Sequence, residues 1–221
     1  MARSSSMAAL AADPHIVATW IRGWTMARGT PPPIADHGGF RVDVGWPEQR
    51  VRYVFPGISS AMKDLAAKIT EPWILVKACA TPAAMRAALP ARWSIQPPGF
   101  MMICRDVMTG TRAMPDGYMV NVTRPSPVAV VEILAPDGTL AAIGRVVQVD
   151  AFAIYDRIET HGAHRRRGLG RAVMKSLESI AWQNGAKQGL LVATAEGRKL
   201  YEALGWEVHA LYTTAAIPPP T

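Results

Sequence analysis

The feature that most constrains this chain is the run of periodicities from Val128 to Thr213. Val128 to Leu134 alternates as a strand, Pro136-Asp137-Gly138 makes a tight turn, and Leu140 to Val149 returns as the hairpin partner. Phe152 to Thr160 supplies a third strand. Leu169, Val173, Leu177 and Ile180 then recur on one face of a helix that Asn184-Gly185 stops. Leu190-Leu191-Val192 reads as a buried strand, Glu196 to Leu204 as a helix ended by Gly205, and Trp206 to Thr213 as a last strand. This order predicts a mixed α/β domain: a mostly antiparallel central sheet flanked by helices.

The first half reads as an N-terminal α/β extension. Ile16, Val17, Trp20, Ile21 and Trp24 fall at helical spacing between Pro14 and Arg28, and Gly29 ends that helix. Thr30 to Pro33 is extended, and Phe40 to Trp46 and Val51 to Phe55 form a hairpin about Pro47. A helix capped by Ser59 or Ser60 runs to about Ile69, followed by a strand at Trp73 to Val76 and a short helix from Pro82. Short strands follow at Trp93 to Ile95, Phe100 to Cys104 and Met119 to Val122. The expected division is 1–12 as a poorly ordered start, 13–99 as the N-terminal α/β region, 100–214 as the principal domain and 215–221 as a flexible tail.

The chemistry concentrates between the third strand and the long helix. His164-Arg165-Arg166-Arg167-Gly168-Leu169-Gly170-Arg171-Ala172 combines a helix start with glycines and fixed positive charge. Amides of a first helical turn lack partners inside the helix, and the helix dipole adds positive potential there. Glycines let a phosphate approach the backbone, and arginines bind it in a fork. The loop is therefore an anion cradle suited to a pyrophosphate. A Walker pattern is excluded because no Gly-Lys-Ser/Thr follows, and a dinucleotide fingerprint because only Gly-x-Gly is present. The net charge of +7 is partly focused here, with four arginines between Arg165 and Arg171, which makes nucleic acid unnecessary as the anionic partner.

Arg165-Arg166-Arg167-Gly168-Leu169-Gly170 resembles the Arg/Gln-x-x-Gly-x-Gly/Ala signature of the GNAT (Gcn5-related) N-acetyltransferases. Leu200-Tyr201-Glu202-Ala203-Leu204-Gly205-Trp206 resembles that superfamily's second signature, Leu-Tyr-x-x-x-Gly-Phe/Trp. The resemblance covers about residues 100–214. It implies acetyl-CoA as co-substrate, no metal, and transfer of the acetyl group to a primary amine of a small molecule by direct attack in a ternary complex. It also implies that Arg165, Arg166, Arg167, Gly168, Leu169, Gly170 and Arg171 surround the coenzyme A pyrophosphate. Ile158, Glu159 and Thr160 would pair their backbone with the pantetheine arm, with Thr194 and Arg198 nearby. Tyr201 would protonate the departing thiolate, a fitting task for a phenol of pKa near 10 facing a thiolate of pKa near 8.5. Asp156 and Glu159 are the candidate bases, on opposite faces by strand alternation. Thr194 stands where the family often has asparagine, and Gly162 where it often has proline.

Residues 57–104 repeat the order of the C-terminal part, with Ile74-Leu75-Val76 standing for Leu190-Leu191-Val192 and Trp93 for Trp206. Neither a second glycine nor arginines follow Gly57, so this region is expected to be a degenerate GNAT-like half without coenzyme binding. Trp20, Trp24, Trp46 and Trp73 read as core or cleft wall, and Glu132, Asp150 and Glu159 as acids that would hold a cationic amine. The two cysteines, Cys79 and Cys104, read as small buried hydrophobes, and His161 and His164 as loop residues rather than a metal pair. No apolar run approaches the roughly 20 residues of a membrane span, and the N-terminus is a poor signal peptide. The chain is expected to be cytoplasmic, with no nucleic-acid or membrane partner and a homodimer left open. The alternative function is a non-catalytic coenzyme-A-binding sensor or interaction protein.

Overall fold

In the computed structural model, which describes residues 11–219, α1 (Pro14–Arg28) is followed by β1 (Ile34–Asp36), β2 (Gly39–Trp46), β3 (Gln49–Phe55), α2 (Ser60–Lys68), β4 (Ile74–Ala78), α3 (Pro82–Ala88) and β5 (Ser94–Ile95). The chain continues with β6 (Gly99–Cys104), β7 (Met119–Thr123), β8 (Val128–Leu134), β9 (Leu140–Val149), β10 (Phe152–Thr160), a single 3-10 turn, α4 (Leu169–Gln183), β11 (Gln188–Ala193), α5 (Ala195–Glu202) and β12 (Glu207–Ala216). The strands join one mixed sheet in the order β1-β2-β3-β4-β12-β6-β11-β10-β9-β8-β7, with β5 alongside β12. Among the described residues only β3–β4 and β10–β11 are parallel. This is the mixed, mostly antiparallel architecture expected, and β1 is an addition to it.

The two halves share one wiring. A hairpin leads through a helix to a parallel strand, then through a short helix to a last strand: β8-β9-β10-α4-β11-α5-β12 in the C-terminal half and β1-β2-β3-α2-β4-α3-β5 in the N-terminal half. The halves are joined through β12. β6 sits between β11 and the first part of β12. The second part of β12 sits between β4 and β5, pairing Thr213–Ala216 with Ala78–Leu75. A boundary at residue 99 therefore cuts the sequence but not the sheet.

Three apolar clusters hold the layers together. α4 and α5 cover one face of the C-terminal half, α2 and α3 cover the same side of the N-terminal half, and α1 covers the opposite face of both. Asp13 caps α1 by accepting from the His15 amide at 2.8 Å, and Pro14 occupies its first turn. Gly23 lets α1 descend onto β10: a Cβ there would stand 2.3 Å from Ile154 Cγ1.

Two expectations are corrected at the ends. Residues 1–10 lie outside the described residues, but Ala12 is buried and its amide donates to the Pro56 carbonyl at 2.7 Å, so order begins before Asp13. Residues 215–217 are not a flexible tail. Ala215 and Ala216 complete β12 and Ile217 is buried, because β4 and β5 would otherwise expose their facing edges.

Candidate active site

β10 and β11 create the site by parting. They pair only from Phe152–Gln188 to Ile154–Leu190; beyond that β10 stays with β9 while β11 stays with β6. The parting coincides with a bulge in β10. Asp156 opposes Arg145 and Glu159 opposes Ile143, so three steps on β10 match two on β9, and Arg157 takes φ 51°. A bulge of this kind re-aims the side chains beyond it. Strand alternation placed Asp156 and Glu159 on opposite faces; the inserted residue puts both on the α1 face. Ile158 correspondingly turns to the α4 face, where its Cδ1 lies 2.7 Å from the place a Cβ would occupy on Gly144.

The basic loop follows. Arg166 at φ 62° and Gly168 at φ 80° both adopt the left-handed region, which curls the backbone toward an anion-binding nest. The first bond of α4 runs from the Ala172 amide to the Gly168 carbonyl at 3.1 Å, so the amides just before it point outward. The side chains divide their tasks. Leu169 is buried in the core and offers only its amide. Arg165 donates to the Thr160 carbonyl and to Glu196, each at 3.3 Å. Arg167 donates at 3.1 Å to the Tyr118 hydroxyl, which bonds His164 Nδ1 at 2.9 Å, and Arg171 lies against Gly110. Arg166 is exposed and makes no side-chain hydrogen bond to another described residue.

α5 closes the other wall. Thr194 caps it, its hydroxyl accepting from the Gly197 amide at 3.1 Å while its own proton stays available. Arg198 is half-buried, paired with Glu202 at 2.6 Å and stacked 4.7 Å from the Phe100 ring. Tyr201 is buried beside Trp206. Burial, and then the Asp156 carboxylate, raise its pKa, which keeps the phenol protonated. Gly170 joins the parts: a Cβ there would stand 3.0 Å from Leu200 Cδ2 and 3.6 Å from Thr160 Oγ1, so α4 reaches both α5 and β10. An exposed, glycine-lined, cationic loop opening onto parted strands fits a pyrophosphate with an extended arm.

Asp156 is less free than a base would be. Arg28, in the last turn of α1, donates to both its oxygens, Nε at 2.7 Å and Nη2 at 2.8 Å. Sequence reasoning missed Arg28 because nothing local ties a residue of α1 to one in β10. Glu159 is exposed. The other acids sit elsewhere: Asp150 lies in the β9–β10 turn paired with Arg22, and Glu132 on β8 accepts from Asn121. Cys79 and Cys104 are buried thiols, raised by desolvation to about 12 and about 11. Among the described residues no three metal-binding side chains come together, and no helix is long and apolar enough to cross a membrane.

The N-terminal half lacks such an opening. β3 and β4 stay paired from Val51–Ile74 to Phe55–Ala78, and the Cys79 amide extends the ladder to the Phe55 carbonyl at 3.0 Å.

Residues 127–208 match the family model described as acetyltransferase (GNAT) domain. This stretch contains β8 to β11, the basic loop and Tyr201, and is similar to a GNAT acetyltransferase domain. Domains of this family use acetyl-CoA or another acyl-CoA. Solved structures agree in fold over nearly the whole chain. A GCN5-related N-acetyltransferase from Kribbella flavida has TM-score 0.67 at 16% identity, covering 94% of this chain and 96% of its own. A GCN5-related N-acetyltransferase-like protein from Streptococcus suis has TM-score 0.61 at 12% identity, covering 92% and 93%. A tandem GNAT protein from the clavulanic acid biosynthesis pathway has TM-score 0.55 at 17% identity, covering 95% and 97%. No curated protein matches the chain.

Proposed function

We propose that the C-terminal half transfers the acetyl group of acetyl-CoA to a primary amine of a small molecule, by direct attack in a ternary complex. The observation that carries this reading is the parting of β10 from β11 beside the Arg165–Arg171 loop, with Tyr201 and the bulge at the same place. Acetyl-CoA supplies an activated thioester. The amides around Gly168 and the arginines hold the pyrophosphate end, and the freed edge of β10 at Ile158 to Thr160 holds the arm as an added strand would. Backbone amides at the bulge lie where they can polarise a carbonyl. The protonated Tyr201 gives its proton to the departing sulfur.

With both its oxygens engaged, Asp156 acts by holding Arg28, and the proton of the attacking amine leaves through water. The N-terminal half, which we read as a degenerate GNAT-like copy, keeps the wiring but has sealed its β3–β4 seam; the tandem protein of the clavulanic acid pathway supports this reading by its shared fold. It has become the second wall of the acceptor cleft.

The test is thiol release from acetyl-CoA over a panel of small primary amines. Amine-dependent release with mass-detected N-acetylated product is expected. Tight coenzyme A binding without turnover of any amine would favour the non-catalytic sensor instead.

A further inference from the structure

The α1 face of the N-terminal half buries two cations that no carboxylate contacts among the described residues. Arg52 on β3 is 7% exposed and Lys77 on β4 is 9% exposed. The register places them on one face with Thr214 and Tyr212 of β12: Arg52 stands opposite Leu75, and Lys77 opposite both Val54 and Thr214. No carboxylate pairs with either cation among the described residues. Arg52 donates once, to Gln49 Oε1 at 3.0 Å, and its Nε is buried with no partner. Its guanidinium stacks 3.8 Å from the Trp24 ring. Lys77 donates once, to Thr214 Oγ1 at 2.8 Å, and the Tyr212 hydroxyl nearby is a second buried group without a partner.

Such an arrangement costs stability. A buried charge is tolerated when paired, and breaking a buried pair is more harmful than replacing both members by apolar groups. Here the pairing carboxylates are missing: Asp156, the acid whose charge acts on Arg52, is already held by Arg28. Burial lowers the pKa of both groups, Arg52 to about 10, and Arg52 and Arg28 lower Lys77 further. Open space begins one row beyond the cluster. An open depression lies at the hairpin tip along Trp46 to Gln49, and a pocket of about 270 Å³ is lined by Leu75 and Ala216, the next positions on the same row as Lys77 and Thr214. The exposed Glu48 at the hairpin tip borders both. Arg28 links this region to the transfer site, since it binds Asp156 at the bulge and stacks on Trp24 and Trp46.

We propose that Arg52 and Lys77 bind an oxyanion, carboxylate or phosphate, carried by the acceptor, so that the substrate is an amine bearing a negative group. This rests on the acetyltransferase reading above. It sets the acceptor apart from polyamines and simple alkylamines, which the same cluster repels.

The experiment compares matched acceptors: an α-amino acid against its amide, phosphoethanolamine against ethanolamine, and spermidine. In wild type the anionic member of a pair should have a kcat/KM at least about ten-fold higher. The better pair names the oxyanion. In Arg52→Met and Lys77→Met the ratio should collapse toward one through KM for the acceptor, with KM for acetyl-CoA unchanged and thermal stability equal or higher. A wild type without preference for anionic acceptors, or variants that melt earlier while keeping the ratio, would overturn the proposal and mark a structural role. A second readout separates this from failure of the acetyltransferase reading. With coenzyme A saturating its own site, inorganic phosphate should raise the Tm of wild type but not of Arg52→Met. That shift without any acetylated amine would sink the enzyme reading and keep the anion site; its absence would sink the site.

Discussion

Replacing Tyr201 by Phe removes one oxygen and little else. The ring stays against Trp206, and the hydroxyl makes no hydrogen bond to another described residue, so the fold loses nothing it uses. A positioned general acid contributes about 10²–10⁴-fold, and each ten-fold is about 1.4 kcal/mol of barrier. Thiolate is a fair leaving group without full protonation, which favours the lower end. We therefore expect kcat to fall about ten- to hundred-fold, a loss of about 1.4–2.7 kcal/mol in the transition state. KM for acetyl-CoA should hold, because the proposed binding mode assigns the pyrophosphate to the Arg165–Arg171 loop and the arm to the edge of β10, not to this hydroxyl. The Tm should stay within about 2 °C. The pH profile adds a signature: since burial and Asp156 raise the phenol's pKa, the wild-type rate should show no alkaline fall through pH 10 from this group. Steady-state thiol release at saturating amine, with calorimetric coenzyme binding in parallel, measures all of this. An unchanged kcat refutes the acid role, and an equal loss of coenzyme affinity would show that Tyr201 shapes the pocket instead.

Gly168→Val combines a left-handed φ of 80° with a branched side chain at the cradle, and Gly170→Phe drives a ring toward Leu200 and Thr160. Each should weaken coenzyme A binding at least about ten-fold by calorimetry. Asp156→Asn removes the charge from a pair whose side chains are only 22% and 12% exposed and leaves Arg28 unpaired near Arg52. A loss of about 2 kcal/mol follows after discounting for that exposure, read in denaturant melts. Lys77 has a folded-state pKa well below its unfolded value, so between the two the unfolded chain binds more protons and stability rises with pH. Denaturant melts across that window should show a steeper rise for wild type than for Lys77→Met. Above pH 10 the raised Tyr155, Tyr201 and Tyr212 reverse the slope in both proteins.

Local features of this fold are legible in the sequence. α1 ends where Gly29 takes its left-handed turn, and the Pro47 hairpin and the basic loop lie where turn chemistry and glycines put them. What depends on distant partners is not. The bulge at Arg157 has no local signal, so the common face of Asp156 and Glu159 is hidden in a strand that looks regular. Arg52 reads as a polar position of a short strand and Lys77 as the residue just after one; their burial follows from α1 arriving above them and from β12 crossing between the halves. The sealing of β3 against β4 is likewise a matter of pairing, since Leu75 and Leu190 look alike as residues.

One half of the chain parts at its parallel seam and the other is sealed. Titration of the wild-type chain with coenzyme A measures that directly by calorimetric stoichiometry. One site per chain is expected, abolished by Gly170→Phe in the C-terminal half. Two sites per chain, or one site that survives that substitution, would contradict it.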